Sequence, residues 1–109
     1  MKKLWSVAGV LVLLACPQTK TIKELLDDPG QYDGKTVRIA GEVKGSIGAL
    51  GVGAYQVDDG TGTLTVVTDR GGTPPRTGAR VVVEGEFESA FTLGDRTLAV
   101  LQEKKRRAP

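Results

Sequence analysis

The sequence contains no histidine, a single cysteine and few aromatic residues. Without histidine the chain has no imidazole general base, no Ser-His-Asp triad and no imidazole metal ligand. One cysteine excludes an internal disulfide, and no Gly-x-x-x-x-Gly-Lys phosphate loop occurs. The acidic pairs Asp27-Asp28 and Asp58-Asp59 are better explained by a helix end and a turn than by a metal site. We therefore predict a protein that is not an enzyme and that carries neither a cofactor nor a metal.

An uncharged apolar stretch near the beginning of the chain is too short to cross a bilayer. It runs from Leu4 to Ala15, about 12 residues, whereas a membrane-spanning helix needs about 20. Lys2 and Lys3 precede the stretch, and the small residue Ala15 stands directly before Cys16. A basic start, a short apolar middle and a small residue at the end are typical of a secretory signal.

Leu13-Leu14-Ala15-Cys16 resembles the lipobox of bacterial lipoproteins at all four of its positions. In that family the cysteine is joined to diacylglycerol, the chain is cut before it and the new amino group is acylated. The resemblance therefore implies a signal peptide over residues 1–15, lipidation of Cys16 and a lipidated tether over residues 16–20. Several acyl chains together hold a protein stably at a membrane. The alternatives are an ordinary secreted protein with one free thiol, or a short N-terminal anchor.

The expected location is the cell envelope. Pro17, rather than an aspartate, follows the cysteine. In many bacteria with two membranes an aspartate there favours retention in the inner membrane. We therefore expect the periplasmic face of the outer membrane if the bacterium has one.

Charge is distributed unevenly along the expected mature chain. After removal of residues 1–15 it holds 13 basic and 13 acidic side chains. Four of the basic ones lie together in Lys104-Lys105-Arg106-Arg107, so residues 17–103 carry 9 basic and 13 acidic groups. The domain proper is thus acidic, and residues 104–109 are expected to form a basic, solvated C-terminal tail.

The pattern of elements is a short helix followed by strands. Thr21 and Glu24 have the spacing of a capping box, which predicts one or two helical turns with Ile22, Leu25 and Leu26 on one face. Alternating apolar residues then predict five strands, over residues 36–44, 53–58, 63–68, 79–88 and 96–103. A sheet this small has few residues to cover its edges, so a closed barrel is favoured.

The segment from Tyr55 to Val67, with its turn Asp59-Gly60-Thr61-Gly62, looks like the second hairpin of OB-fold domains of the tRNA-anticodon-binding kind. Leu25 to Val37 resembles the lead-in of OB-fold proteins from bacterial envelopes. The resemblance covers roughly residues 21–103 and implies an all-β, five-stranded OB-fold barrel with a short N-terminal helix. Larger members often close the barrel with a helix where this chain has Asp69 to Gly78, so the N-terminal helix is expected to cover that opening. Another small barrel or a β-sandwich fragment is the alternative.

OB-folds bind ligands across strands two and three, between the loop joining strands one and two and the loop joining strands four and five. Here those loops are expected over Gly45–Gly53 and Ser89–Asp95, and both hold apolar residues. The candidate ligand-binding residues are Ile47, Leu50, Val52, Tyr55, Phe91 and Leu93. Their alternative role is to fold back as lids of the barrel.

Two kinds of partner remain open besides the membrane. The first is a protein or a small ligand, held by a non-catalytic binding module. The second is single-stranded nucleic acid or another polyanion, which needs a basic groove and stacked aromatic rings. The acidic domain argues against this second partner, and only Tyr55 and Phe91 are candidate stacking platforms.

Overall fold

Two short helices precede five strands in this computed structural model, which describes residues 18–49, 52–68, 74–93 and 95–109. Cys16 and the predicted signal peptide lie outside the described residues. The elements, in chain order, are α1 (Ile22–Asp27), α2 (Pro29–Tyr32), β1 (Thr36–Ala49), β2 (Val52–Asp58), β3 (Thr63–Thr68), β4 (Arg80–Leu93) and β5 (Arg96–Arg107).

The five strands close into a barrel in the order β1-β2-β3-β5-β4. β1 closes the barrel by pairing with two strands: its residues 36–42 pair with β4 and its residues 42–49 pair with β2. The pairing between β3 and β5 is parallel, and all the other pairings are antiparallel. Closure leaves no long unpaired sheet edge, which confirms the predicted barrel.

The core consists of the inward-pointing side chains of the strands together with two residues of α1. Alternate positions along each strand point inward, and this alternation agrees with the sequence pattern. The buried core cluster comprises Ile22, Leu25, Val37, Ile39, Val43, Tyr55, Val57, Leu64, Val66, Val81, Val83, Phe87 and Leu101.

Helix α1 covers one end of the barrel, as predicted. The Thr21 hydroxyl accepts from the Glu24 amide and the Glu24 carboxylate accepts from the Thr21 amide, which is the predicted capping box. Ile22 and Leu25 are fully buried. Leu26 was predicted on the same face but is 40% exposed, so only Ile22 and Leu25 of α1 belong to the core.

The turn between β2 and β3 holds this helix in place. Asp59 Oδ2 accepts from the amide of Ile22 at 2.8 Å, and the Thr61 hydroxyl accepts from the amide of Lys23 at 3.1 Å. Burial disfavours the charge of Asp59, but hydrogen bonds from Thr61, Ile22 and Gly62 outweigh it and hold the pKa of this carboxyl below its usual range. The prediction that Asp58 and Asp59 shape a turn is confirmed, since both carboxylates accept from backbone amides of the turn.

Three strands, β1, β4 and β5, end several residues later than predicted. β5 continues to Arg107 and its last residues pair with Val82, Val83 and Glu84 of β4, so the basic segment is not a free tail. Most of the two predicted loops is strand as well. Part of the predicted tether also joins the barrel, because Thr19 forms a parallel bridge with Arg38. Backbone hydrogen bonds between strands do not require alternating apolar side chains. The strands therefore continue beyond the residues in which the sequence alternates.

Two strand glycines lie where the backbones approach closely. A Cβ added at Gly41 would lie 2.5 Å from the carbonyl oxygen of Asp58, and one at Gly85 would overlap the carbonyl oxygen of Gln102. Gly85 also adjoins a shift in the register between β4 and β5. A glycine at this point therefore allows the barrel to bend.

We expect Gly85→Ala to lower the free energy of unfolding by about 3 kcal/mol, because overpacking against a backbone forces strands apart. Denaturant unfolding followed by circular dichroism measures the change. Gly45→Ala is the matched control, since a Cβ at Gly45 meets no atom within 4 Å. Equal effects of the two variants would contradict the close approach.

Candidate ligand-binding face

The outside of the barrel across β2, β3 and β5 forms a continuous face. Tyr55 and Val57 point into the core, so Ala54 and Gln56 point outward. The same alternation and the cross-strand register define the remaining members. We use the name outer face for Ala54, Gln56, Thr65, Val67, Glu86, Glu88, Phe91, Leu98, Val100 and Gln102.

The outer face contains apolar side chains that are separate from the core. Ala54, Val67 and Val100 are 2%, 5% and 0% exposed, yet none of them belongs to the core cluster. Ala54 lies opposite Val67, and Phe91 lies opposite Leu98. A second apolar row therefore lies outside the core cluster, from β2 across β3 to β5 and the tip of β4. Ala54, Val67 and Val100 are buried within the chain, and only Phe91 and Leu98 are partly exposed.

The polar members of the outer face are two amides, a hydroxyl and two carboxylates. Glu88 lies opposite Val100, and its carboxylate accepts a hydrogen bond from the side-chain amide of Gln102. None of the ten residues is a lysine or an arginine. This face therefore lacks the cations that neutralise phosphates in nucleic-acid sites.

Two hairpins flank the outer face where loops were predicted. In the β1–β2 hairpin Ser46 lies opposite Tyr55, and its hydroxyl donates to the carbonyl of Pro75 at 3.0 Å. In the β4–β5 hairpin Thr92 and Thr97 share a hydroxyl hydrogen bond. Cross-strand pairing makes both hairpins more rigid than open loops.

The base of the β4–β5 hairpin is attached to the segment after α2. Asp33 Oδ1 accepts from the amide of Ser89 at 2.7 Å and from its hydroxyl at 3.0 Å. These two hydrogen bonds hold the pKa of the Asp33 carboxyl below its usual range. Ser89 lies within the register shift between Glu88 and Phe91, so this clamp sets the direction in which the hairpin leaves the barrel.

Tyr55 was predicted as a ligand-binding residue, but its side chain is fully buried in the core. Its hydroxyl donates to Glu103 Oε1 at 2.5 Å, and the Arg106 guanidinium lies 5.6 Å from the ring centre. Burial, together with the hydrogen bond to Glu103, raises the pKa of Tyr55. The ring is therefore not available for stacking on a ligand, because position 55 is one of the alternate positions of β2 that point into the barrel.

Of the other predicted residues, the structure places Phe91 on the outer face, half-buried. The backbones of Ile47, Val52 and Leu93 lie in the two hairpins, while their side chains and the whole of Leu50 lie outside the described part. The sequence reasoning missed Ala54, Val67 and Val100. The signal that could have found them is an apolar residue at the alternate strand positions that point away from the core.

Two negative findings apply to the part of the chain that the structure describes. It contains no helix that is both long enough and apolar enough to cross a membrane. It also contains no cluster of three or more acidic or cysteine side chains arranged to hold a metal ion.

The closed five-stranded barrel with this strand order is an OB-fold, as the sequence predicted. Similar solved structures include asparaginyl-tRNA synthetase from Pyrococcus horikoshii, at 22% identity over 71% of this chain and 20% of that chain, with a TM-score of 0.59. They also include OBody AM3L09 bound to hen egg-white lysozyme, at 22% identity over 70% of this chain and 82% of that chain, with a TM-score of 0.57.

A third similar structure is a Replication Protein A heterotrimer bound to ssDNA, at 22% identity over 70% of this chain and 57% of that chain, with a TM-score of 0.55. This chain thus spans about a fifth of the synthetase and just over half of the matched Replication Protein A chain. At these identities the likeness shows the fold alone. No protein-family description and no curated protein sequence matches this chain.

We expect Tyr55→Phe to lower the free energy of unfolding by about 2 kcal/mol, because it removes a hydrogen bond to a charged, half-buried carboxylate. Tyr32→Phe is the control, since the Tyr32 ring packs against the core and no hydrogen bond from its hydroxyl is found within the described residues. Urea unfolding measures both variants. A Tyr55→Phe protein as stable as the Tyr32→Phe protein would show that the buried hydroxyl contributes nothing.

Proposed function

We propose that this protein is a membrane-anchored envelope lipoprotein whose OB-fold is a non-catalytic binding module for a protein or a small ligand. The anchor is lipid on Cys16, and the location is the periplasmic face of the outer membrane in a bacterium with two membranes. The observation that supports a binding role most directly is the partly exposed pair Phe91 and Leu98 at the end of the apolar row.

The short connection between Cys16 and the barrel supports a surface anchor. Gln18 is already attached to β1, because its carbonyl accepts from the amide of Arg38 at 3.4 Å. Cys16 precedes Gln18 by two residues, and two extended residues span at most about 7 Å. A lipid on Cys16 would therefore hold the barrel directly against the bilayer.

The composition of the outer face favours a protein or an amphipathic ligand over nucleic acid. Its polar members are two amides, a hydroxyl and two carboxylates beside apolar residues, and none is basic. A surface without basic side chains has no groups that neutralise phosphates. Among the similar structures, one OBody is bound to lysozyme and Replication Protein A is bound to ssDNA. Since the fold accommodates both kinds of partner in other proteins, the side chains of this chain decide between them.

Lipidation predicts that the protein incorporates a labelled fatty acid when it is produced in a bacterium. Cys16→Ser is expected to abolish the label and to leave the precursor with its leader uncut, because the thiol is the attachment point. A mass spectrum of the purified protein gives the acyl groups and the new N-terminus. An unmodified Cys16 in a protein recovered from the soluble fraction would contradict the anchor.

The binding role predicts that Leu98→Asp abolishes the capture of a crosslinked envelope partner without unfolding the barrel. The matched control is Leu26→Asp, which places the same charge at a leucine that is 40% exposed on α1. We expect the control to retain the partner and both variants to melt within a few degrees of the wild type.

The nucleic-acid alternative is tested in parallel. Fluorescence anisotropy with a labelled oligothymidylate is expected to show no binding at physiological salt. If the oligonucleotide binds in a salt-dependent way and Leu98→Asp abolishes that binding, the partner of the outer face is a polynucleotide rather than a protein. Equal partner capture by the Leu98→Asp and Leu26→Asp proteins would exclude the outer face as the binding surface.

A further inference from the structure

A second surface, which differs in chemistry from the outer face, carries most of the basic side chains of β5. It is an open pocket of about 170 Å³ lined by Arg38, Val82, Glu84, Lys105, Arg106 and Arg107. Four of the six lining residues are basic and one is acidic. We call this site the basic pocket.

The register explains why these cations come together. Arg38 of β1 lies opposite Glu84 of β4, and Glu84 lies opposite Lys105 of β5. The next outward row brings Arg107 opposite Val82. Neighbouring strands are about 4.8 Å apart, so charges from strands distant in sequence lie within one headgroup-sized area.

The cations of the basic pocket are only partly neutralised. Arg38 Nη2 lies 3.4 Å from Glu84 Oε1, and Arg106 Nη1 lies 3.1 Å from Glu103 Oε1. Within the described part of the chain, neither Lys105 nor Arg107 forms an ion pair, and both are exposed. The pocket therefore presents a net positive charge to an anion.

The chain enters the barrel beside this pocket. Thr19 bridges to Arg38 on the edge of β1 that faces away from β4. The amide of Lys20 donates to the carbonyl of Arg38 at 2.8 Å. The row Thr19, Arg38, Glu84 and Lys105 thus crosses four chain segments, and Cys16 is three residues before its first member.

We propose that the basic pocket binds the phosphate headgroup of an anionic phospholipid in the membrane that holds the lipid anchor. This inference rests on the proposed lipidation of Cys16, which brings the pocket to the headgroup layer. One acyl signal and one basic patch together orient a protein at a membrane. Docking through the pocket turns the Arg38–Glu84–Lys105 row toward the bilayer and leaves Phe91 and Leu98, at the other end of the β4–β5 pairing, accessible to a partner.

The test uses the acylated, processed protein reconstituted into vesicles. The only tryptophan of the chain is Trp5, in the segment that processing removes, so an introduced tryptophan is the sole reporter. Ala108→Trp places it just after the end of β5, and Thr97→Trp places it at the opposite end of that strand. Quenching by phosphatidylcholine brominated on its acyl chains measures how close each position lies to the bilayer.

We expect strong quenching at position 108 in vesicles that contain equal parts of phosphatidylglycerol and brominated phosphatidylcholine, and weak quenching at position 97. Without phosphatidylglycerol the signal at position 108 should fall to that at position 97. Lys105→Gln with Arg107→Gln should weaken docking roughly 25-fold, since each cation contributes roughly fivefold. Arg38→Gln alone is a second variant and should weaken docking about fivefold.

Arg76→Gln with Arg96→Gln is the matched control, because it removes the same charge from exposed positions outside the pocket. It should leave the quenching at position 108 unchanged. Thermal melts confirm that each variant is folded.

The outcomes separate the two proposals. Acylated, vesicle-bound protein whose quenching is equal at positions 108 and 97 and indifferent to the pocket cations would overturn the headgroup site and leave the anchor intact. Protein that a mass spectrum shows to be unacylated would overturn the anchor, and the headgroup site with it. A third outcome is quenching at position 108 that does not depend on phosphatidylglycerol and that added oligothymidylate abolishes. This outcome would reassign the pocket to nucleic acid and overturn the proposal.

Discussion

The parallel pairing of β3 with β5 is the constraint on which the rest of the structure depends. It joins Thr65 to Val100, Val66 to Leu101 and Val67 to Gln102, and it is the only link between the first three strands and the last two on that side of the barrel. The pairing is non-local, so its entropic cost is repaid only when Val66 and Leu101 enter the common core. Once formed, it removes the sheet edges and encloses that core. It also places Val67 and Val100 together on the outside.

One strand, β5, serves two surfaces because its alternation is broken near Glu103. Up to that point its outward residues belong to the apolar outer face, and beyond it Lys105 and Arg107 line the basic pocket. The two surfaces therefore have different chemistry, one apolar and amide-rich and the other cationic. This separation allows one small barrel to contact a membrane with one side and a partner with another, as we propose.

Sequence reasoning succeeded where the physics is local or periodic. The capping box of Thr21 and Glu24, the carboxylates of the β2–β3 turn and the inward residues of the strands are all set by neighbours within a few positions. It failed for Tyr55, whose aromatic ring made it a candidate platform for a stacked ligand. A carboxylate 48 residues later satisfies that hydroxyl inside the barrel, and no local pattern reveals such a partner.

The sequence by itself determined the strand pattern and the helix start, because these depend on spacing and residue type. Only the tertiary structure decided that Lys105 and Arg107 belong to a paired strand and that Arg38 joins them. Only the tertiary structure, likewise, brought Ala54, Val67 and Val100 into one buried row separate from the core cluster. The physical reason is that both surfaces arise from registers between strands distant in the chain, and a register is chosen by the closure of the whole barrel rather than by either strand alone.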